Sequence, residues 1–435
     1  MENKLVIGLF GFGTVGEGIY HILQQTPSLQ ARIKNICIKN EQKKRSIAAG
    51  YFTTDADALL NDPEINVIVE LIDDADEALK IVTTALQQGK AVVSANKKMI
   101  AENAPQLLRL QQQYGVPFLY EAAVCGSIPI IRNLEEYYDN DFLKSVCGIV
   151  NGSTNFILTK MDEQGMDYRT ALQAAQGLGF AESNPALDVQ GIDAVNKLTI
   201  LLLHAYGIVA HPQALLHLGI DHIHPYDAKR AAEKGWKVKL TAQAFKLSAG
   251  NVAAFVLPQY VTAESQLYGV RNEFNAVVLQ TAFADKQFLY GKGAGRYPTA
   301  SAVLSDVSAL RYNYRYEYRK GHGNSHTTLT EDFYLRVYVS FDVWTDVALN
   351  DFEWVEEFFS DEARQYLIGV ISFSKLKAAA WIHKPSVSLI LCPDAVMEDI
   401  SARQIRKKSL ELAGSHFVEK TNRTVHNLPK ELMQL

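Results

Sequence analysis

Four ionisable residues fall within the run ESNPALDVQGIDAVNK: Glu182, Asp188, Asp193 and Lys197, punctuated by Pro185 and Gly191. The apolar stretch after Lys197 predicts a helix that begins near Gly191. Asp193 and Lys197 are then at i, i+4 and share one face of it. Such a pair can be a plain salt bridge on a helix entering an apolar domain. It also suits a hydride-transfer reaction, which needs a proton donor for a carbonyl oxygen and anchors for a polar substrate. A partly desolvated lysine flanked by carboxylates meets both needs.

A second cluster lies at the start of the chain. GFGTVG supplies Gly11, Gly13 and Gly16, with Phe12, Thr14 and Val15 between them. It follows the apolar run KLVIGLF and opens VGEGIYHILQQ, whose Val15, Ile19, Ile22 and Leu23 have helical spacing. In that context the first glycine allows a tight turn, the second lets the backbone approach a pyrophosphate and the third lets helix pack on strand. The helix N-terminus adds free N–H groups and a favourable dipole. At the end of the next strand, where an acidic residue would bind the ribose of NAD, the chain reads IKNEQKKRS. Lys39, Lys43, Lys44 and Arg45 outweigh Glu41, which favours a 2′-phosphate and hence NADP, with NAD as the alternative. A solvated basic loop would look the same.

The elements that must hold these groups alternate over the first 120 residues or so: strands at KLVIGLF, IKNICIK, INVIVELI, KAVVSAN and VPFLYEAAV, separated by helices such as EALKIVTTALQQG. That order predicts right-handed βαβ crossovers and an α/β doubly wound parallel sheet of Rossmann type. From Leu134 to about Tyr290, long helical runs mix with strand-like runs such as LKSVCGIVNG and WKVKLTAQAF, an α+β pattern. RYNYRYEYRKGHGNSH, from Arg311 to His326, reads as a solvated linker. Beyond it FYLRVYVSF, DFEWVEEFFS, QYLIGVISF, SVSLILC, MEDISARQIRKKSLELA and HFVEKTNRTV read as strand, helix, strand, strand, helix, strand, a small α+β domain. The expected division is residues 1–132 for the nucleotide domain, completed by about 296–312, then 133–295 for a substrate-binding and dimerisation domain and 328–435 for the last domain.

The whole composition agrees with a folded globular protein. At 435 residues, about three domains fit. Forty-eight per cent hydrophobic residues exclude a disordered chain, and a net charge of −5 argues against a nucleic-acid binder. No apolar run reaches the roughly 18 residues of a membrane span. The N-terminus has no signal-peptide pattern, and Cys37, Cys125, Cys147 and Cys392 are scattered as in a reducing compartment, so a cytoplasmic location is expected. His204, His211, His217, His222 and His224 fit no tight tetrahedral metal set and read as packing or surface residues.

From Ala175 to Lys197 the run AQGLGFAESNPALDVQGIDAVNK resembles the signature of homoserine dehydrogenases. GFGTVG, VELI, SANKKMIA, EAAVCGSIPII, GIVNGSTNFIL and GKGAGRYPTASAVLSD appear in the family's order, so the resemblance covers residues 1 to about 310. It implies NAD(P)-dependent interconversion of L-aspartate 4-semialdehyde and L-homoserine, in threonine, methionine and isoleucine biosynthesis, by a homodimer or homotetramer. It implies Lys197 as proton donor with Asp193 as its partner, and Glu182 and Asp188 as substrate-holding groups with Asp193. Lys97 would stand at the nicotinamide end of the cleft, beside Ser94. EAAVCGSI matches a site for a monovalent cation such as sodium, at Glu121, Val124, Gly126 and Ile128, mainly through carbonyl oxygens. A plain strand end is the alternative there.

The chain also departs from the family. Asp73 and Asp74 follow VELI where glycines are usual. The C-terminal order βαββαβ resembles the ACT regulatory fold, but SFDVWTDVALN stands where a proline-glycine turn normally forms an amino acid site. Weak or absent threonine feedback is therefore expected, in an enzyme of the monofunctional type. Two other readings remain: another NAD(P)-dependent dehydrogenase of a small amino acid or aldehyde, and a non-catalytic nucleotide-sensing regulator, which would have no use for Glu182, Asp193 and Lys197 together.

Overall fold

The computed structural model describes residues 4–139, 142–321, 327–360 and 364–400. The chain forms two compact units. One holds the described residues up to Gly152 together with Asp193–Leu215 and Glu273–Thr327. The other holds Ser153–Ile192, Leu216–Asn272 and the described residues from Thr328 on.

The first unit is built on a parallel sheet. Its strands are β1 (Leu5–Phe10), β2 (Ala31–Cys37), β3 (Phe52–Thr53), β4 (Val67–Glu70), β5 (Ala91–Ser94) and β6 (Phe118–Leu119), ordered β3-β2-β1-β4-β5-β6. β1 and β4 are buried along their whole length, as strands covered on both faces must be. Helix α1 (Thr14–Gln25) follows β1, α2 (Ala75–Gln87) follows β4 and α3 (Lys97–Tyr114) follows β5. The order reverses direction between β1 and β4, and in such sheets ligands bind beyond the carboxyl ends of the strands at that point. Both GFGTVG and the end of VELI lie there. VPFLYEAAV yields only the two residues of β6 as strand; Glu121–Ala123 is a turn of 3-10 helix.

Three further pieces complete this unit. Leu143–Ile149 pairs antiparallel with Phe274–Thr281, which pairs with the edge strand Lys286–Lys292. Arg296–Leu310 is a helix that packs on α1, so close at Gly18 that a β-carbon there would stand 2.8 Å from the Arg296 carbonyl. Helix Ile192–Tyr206 is buried over nearly all its length.

The stretch from Arg311 corrects one expectation. Its described part, up to Gly321, is not a solvated linker. Tyr316 is 1% exposed, the Tyr318 hydroxyl lies 3.0 Å from that of Tyr120, and Lys320 donates to the His204 carbonyl at 2.8 Å. Tyr314, Tyr316 and Tyr318 pack ring against ring at every second residue, and the charged Arg315 and Glu317 between them disguise that pattern.

In the second unit Lys237–Lys246 and Val252–Val261 form an antiparallel pair, and Ser388–Met397 runs parallel to Val252–Val261 through Gln259 and Leu391. Tyr334–Phe341 lies between Ser388–Met397 and Gln365–Ser372, with Phe352–Ser360 outermost. The C-terminal strands therefore share one sheet and one core with the middle of the chain: Phe255, Phe333 and Phe373 pack together, the last two stacked at 4.4 Å. DFEWVEEFFS is a strand and not the expected helix. Its aromatic residues favour the pleated surface, and Phe352 and Val355 are buried in the core of this unit. The expected helix MEDISARQIRKKSLELA, beyond Ile400, and the strand HFVEKTNRTV lie outside the described residues.

Candidate active site

The phosphate loop is shaped for a ligand. Gly11 has φ +93°, a conformation that side chains resist, and a β-carbon on it would press on the Leu71 carbonyl at 2.8 Å. A β-carbon on Gly16 would meet the Gly11 carbonyl at 2.5 Å, so loop and helix close on each other. Gly13 faces open space. No side chain caps α1 at Gly13, so its first N–H groups are available to a phosphate. Phe12 packs edge-on against Phe52, and Thr14 and Val15 begin the helix.

Lys97 begins α3 just after β5, at the same carboxyl edge of the parallel sheet as the phosphate loop. Asp193, 5% exposed, receives Lys197 on one carboxylate oxygen at 2.8 Å and Lys97 on the other at 2.9 Å. Asn151 donates to the same oxygen as Lys197, at 2.8 Å. Burial opposes ionisation of Asp193, but the two ammonium groups and the Asn151 amide outweigh it and hold the carboxyl well below the usual range. Lys197 also donates to the Val150 carbonyl at 2.7 Å, which accepts from Asn275 at 3.0 Å. Asn275 in turn lies against Gly293 of GKGAG, where any β-carbon would collide with its amide. Three distant segments thus fix one amine: 150–151, 193–197 and 275–293.

Two family models match the chain: homoserine dehydrogenase over residues 129–308, and the homoserine dehydrogenase NAD-binding domain over residues 11–121. The homoserine dehydrogenase of Bacillus subtilis is 35% identical over 318 residues, spanning 71% of this chain and 73% of its own. That of Synechocystis sp. is 36% identical over 311 residues, spanning 69% and 72%. The chain belongs to the homoserine dehydrogenase family. A homoserine dehydrogenase from Thiobacillus denitrificans matches its structure with a TM-score of 0.79 at 29% identity, over 89% of this chain and 98% of that one. A hyperthermophilic archaeal homoserine dehydrogenase mutant in complex with NADPH matches with a TM-score of 0.62 at 28% identity, over 72% and 99%. The chain is accordingly an NAD(P)-dependent oxidoreductase acting on a CH–OH group.

The remaining candidates are distributed more widely than the motif suggests. Glu182 is exposed in the turn after helix Tyr168–Gly177, and Asp188 is on the single-turn helix Ala186–Val189, both in the second unit. The Ser94 hydroxyl is buried and bonds Glu70 and the Asn96 N–H. Arg45 turns its guanidinium onto its own loop, donating to the Lys43 and Asn40 carbonyls over the ring of Phe52. Asp74 accepts from the Asp76 and Glu77 N–H groups and caps α2, which gives a structural reason for an acid after VELI. Both carboxylate oxygens of Glu121 accept from backbone, Ile131 N–H and Arg132 N–H, each at 2.8 Å. The Ile128 carbonyl accepts from Ile130. Val124 is buried, and Gly126 has φ +51° and lies against the Gly293 carbonyl. His204 bridges Glu135 at 2.6 Å and the Tyr120 hydroxyl at 2.9 Å, while His224 caps helix Pro225–Glu233. Motif matching leaves Asn151 and Glu70 unassigned, although both sit inside recognised runs at strand ends, where both are buried.

Proposed function

We propose that the chain interconverts L-homoserine and L-aspartate 4-semialdehyde with NADP(H), as a step toward threonine, methionine and isoleucine. The observation that carries this reading is the buried Asp193 carboxylate held between Lys97 and Lys197. The bound nicotinamide would give or take the hydride. Lys197 would supply the proton: two of its three N–H groups meet Val150 and Asp193, which leaves one for an oxygen that gains negative charge. Asp193 keeps the amine protonated and aimed. Lys97, more exposed, would polarise the same oxygen from the cofactor side.

Gly11, Phe12, Gly13, Thr14, Val15 and Gly16 would cradle the pyrophosphate, as the uncapped helix and the open space at Gly13 support. Lys39, Lys43 and Lys44 would meet a 2′-phosphate, with Arg45 stiffening their loop. Glu182 and Asp188 carry over from the family motif as substrate-holding groups. Val124 and Gly126 would lead a monovalent cation site, with Glu121 and Ile128 as framework. A three-part division near 132, 295 and 328, an ACT-like C-terminal part and a homodimer or homotetramer complete the reading. Exposed Phe288 and Tyr290 on the edge strand Lys286–Lys292 support self-association.

The test is oxidation of homoserine followed at the nicotinamide, with NADP and NAD in parallel, and the reverse reaction with aspartate semialdehyde. Turnover faster with NADP is expected. Absence of homoserine-dependent reduction of either cofactor would remove the reading.

A further inference from the structure

Glu70 is fully buried at the end of β4, opposite Ser94 of β5 in the parallel register. Among the described residues its two carboxyl oxygens meet the Ile72 N–H, at 2.7 Å, and the Ser94 hydroxyl, at 2.5 Å. Ser94 also accepts the Asn96 N–H at 3.0 Å. Asn96 is tied a second time, through its amide to the Ile72 carbonyl at 3.0 Å, and its side-chain oxygen accepts the Met99 N–H as the cap of α3. The next residue is Lys97, the first of that helix, whose amine reaches Asp193. A carboxyl placed in such a pocket has a high desolvation cost. An apolar side chain would fill the space without that cost, but it could not accept the Ile72 and Ser94 donors together.

We infer that Glu70 is a positioning residue: through Ser94 and Asn96 it fixes the turn from which Lys97 reaches Asp193. Every bond in the relay runs between β4, β5 and the first turn of α3, so the acid acts on the start of the helix and not on the fold at large. Burial pushes the Glu70 carboxyl up to about 7, and Asp73 adds to the effect, which accords with a hydrogen-bonding rather than an ion-pairing role. The inference rests on Lys97 being a site residue.

A double-mutant cycle tests both. Glu70→Ala should lower kcat for homoserine oxidation roughly tenfold, the scale of a misplaced catalytic group, with little change in KM for NADP. Glu70→Gln keeps an acceptor for the Ile72 N–H and can donate its amide to the Ser94 oxygen, and should recover most of that loss. In a Lys97→Met background Glu70→Ala should cost no more than about twofold, because the group it positions is gone. If Glu70→Ala does not fold, Ser94→Ala breaks the same relay and should show the same non-additivity with Lys97→Met. A full tenfold loss in the Lys97→Met background, or normal kcat in Glu70→Ala, would overturn the relay while leaving Lys97 in place. Unchanged turnover in Lys97→Met alone would overturn the relay and the role of Lys97 together.

Discussion

Asp193 accepts from two ammonium groups and an amide at once, so the three donors compete for two oxygens and hold the carboxylate rigidly. Lys197→Met removes the proton and keeps much of the volume. It should reduce kcat about a hundredfold or more, as for a positioned acid, with KM for the cofactor nearly unchanged. Near-normal turnover would transfer the acid's role to Lys97. A second expectation concerns Glu70, whose carboxyl is raised by burial from 4.5 to about 7. Between those values the folded chain binds more protons than the unfolded chain, so this residue's contribution falls as pH rises and levels off above 7. Urea unfolding at pH 5 and pH 8 should show a smaller pH difference in Glu70→Gln than in the unsubstituted chain, by about 3 kcal/mol. An equal difference would place the titration elsewhere. Asp193 and Lys197 were readable in the sequence because one helix turn sets their distance. Asn151 and Glu70 were not, because their partners are remote in the chain and only folding brings them near.

The basic loop after β2 and the glycine loop after Lys286–Lys292 each do their work as segments. Changing Lys39, Lys43 and Lys44 to glutamate should raise KM for NADP far more than KM for NAD; equal losses would show that the loop does not meet a 2′-phosphate. Arg45 belongs to a separate variant, since its guanidinium holds the loop's own carbonyls. Gly293→Ala should push Asn275 off the Val150 carbonyl and disturb Lys197, lowering kcat on the order of tenfold while thermal stability drops modestly. Normal turnover in that variant would show that the loop yields without moving the amine. Elements with a uniform environment were easiest to read: β1 is apolar throughout, and β4 is apolar up to Glu70, because both faces are covered. DFEWVEEFFS misled because its three glutamates and apolar residues satisfy a helical period as readily as a strand's, and only pairing with Gln365–Ser372 decides between them.

For the molecule as a whole, the sequence separates a C-terminal part that the structure joins by strand pairing to the middle of the chain through Ser388–Met397 and Val252–Val261. Pairing over such a separation leaves no local trace, so composition and periodicity could not reveal it. Where a regulatory amino acid site would need a proline-glycine turn, the chain has short 3-10 turns at Trp344–Asp346 and Leu349–Asp351. Threonine at millimolar concentration should therefore inhibit homoserine oxidation by less than about half; strong inhibition would require a pocket of another design.

The tyrosine stretch after Leu310 bears on how the chain matures. Helix Ile192–Tyr206 receives the Tyr318 ring against His204, and Lys320 on the His204 carbonyl, from residues made more than a hundred positions later. During synthesis this helix would leave the ribosome with its His204 carbonyl lacking the Lys320 ammonium, and that bond would form only once residue 320 has emerged. A fragment ending near Leu310 would hold every group of the lysine–aspartate cluster and still lack the clasp that steadies it. Competence would then arrive late in translation, as a single closing event.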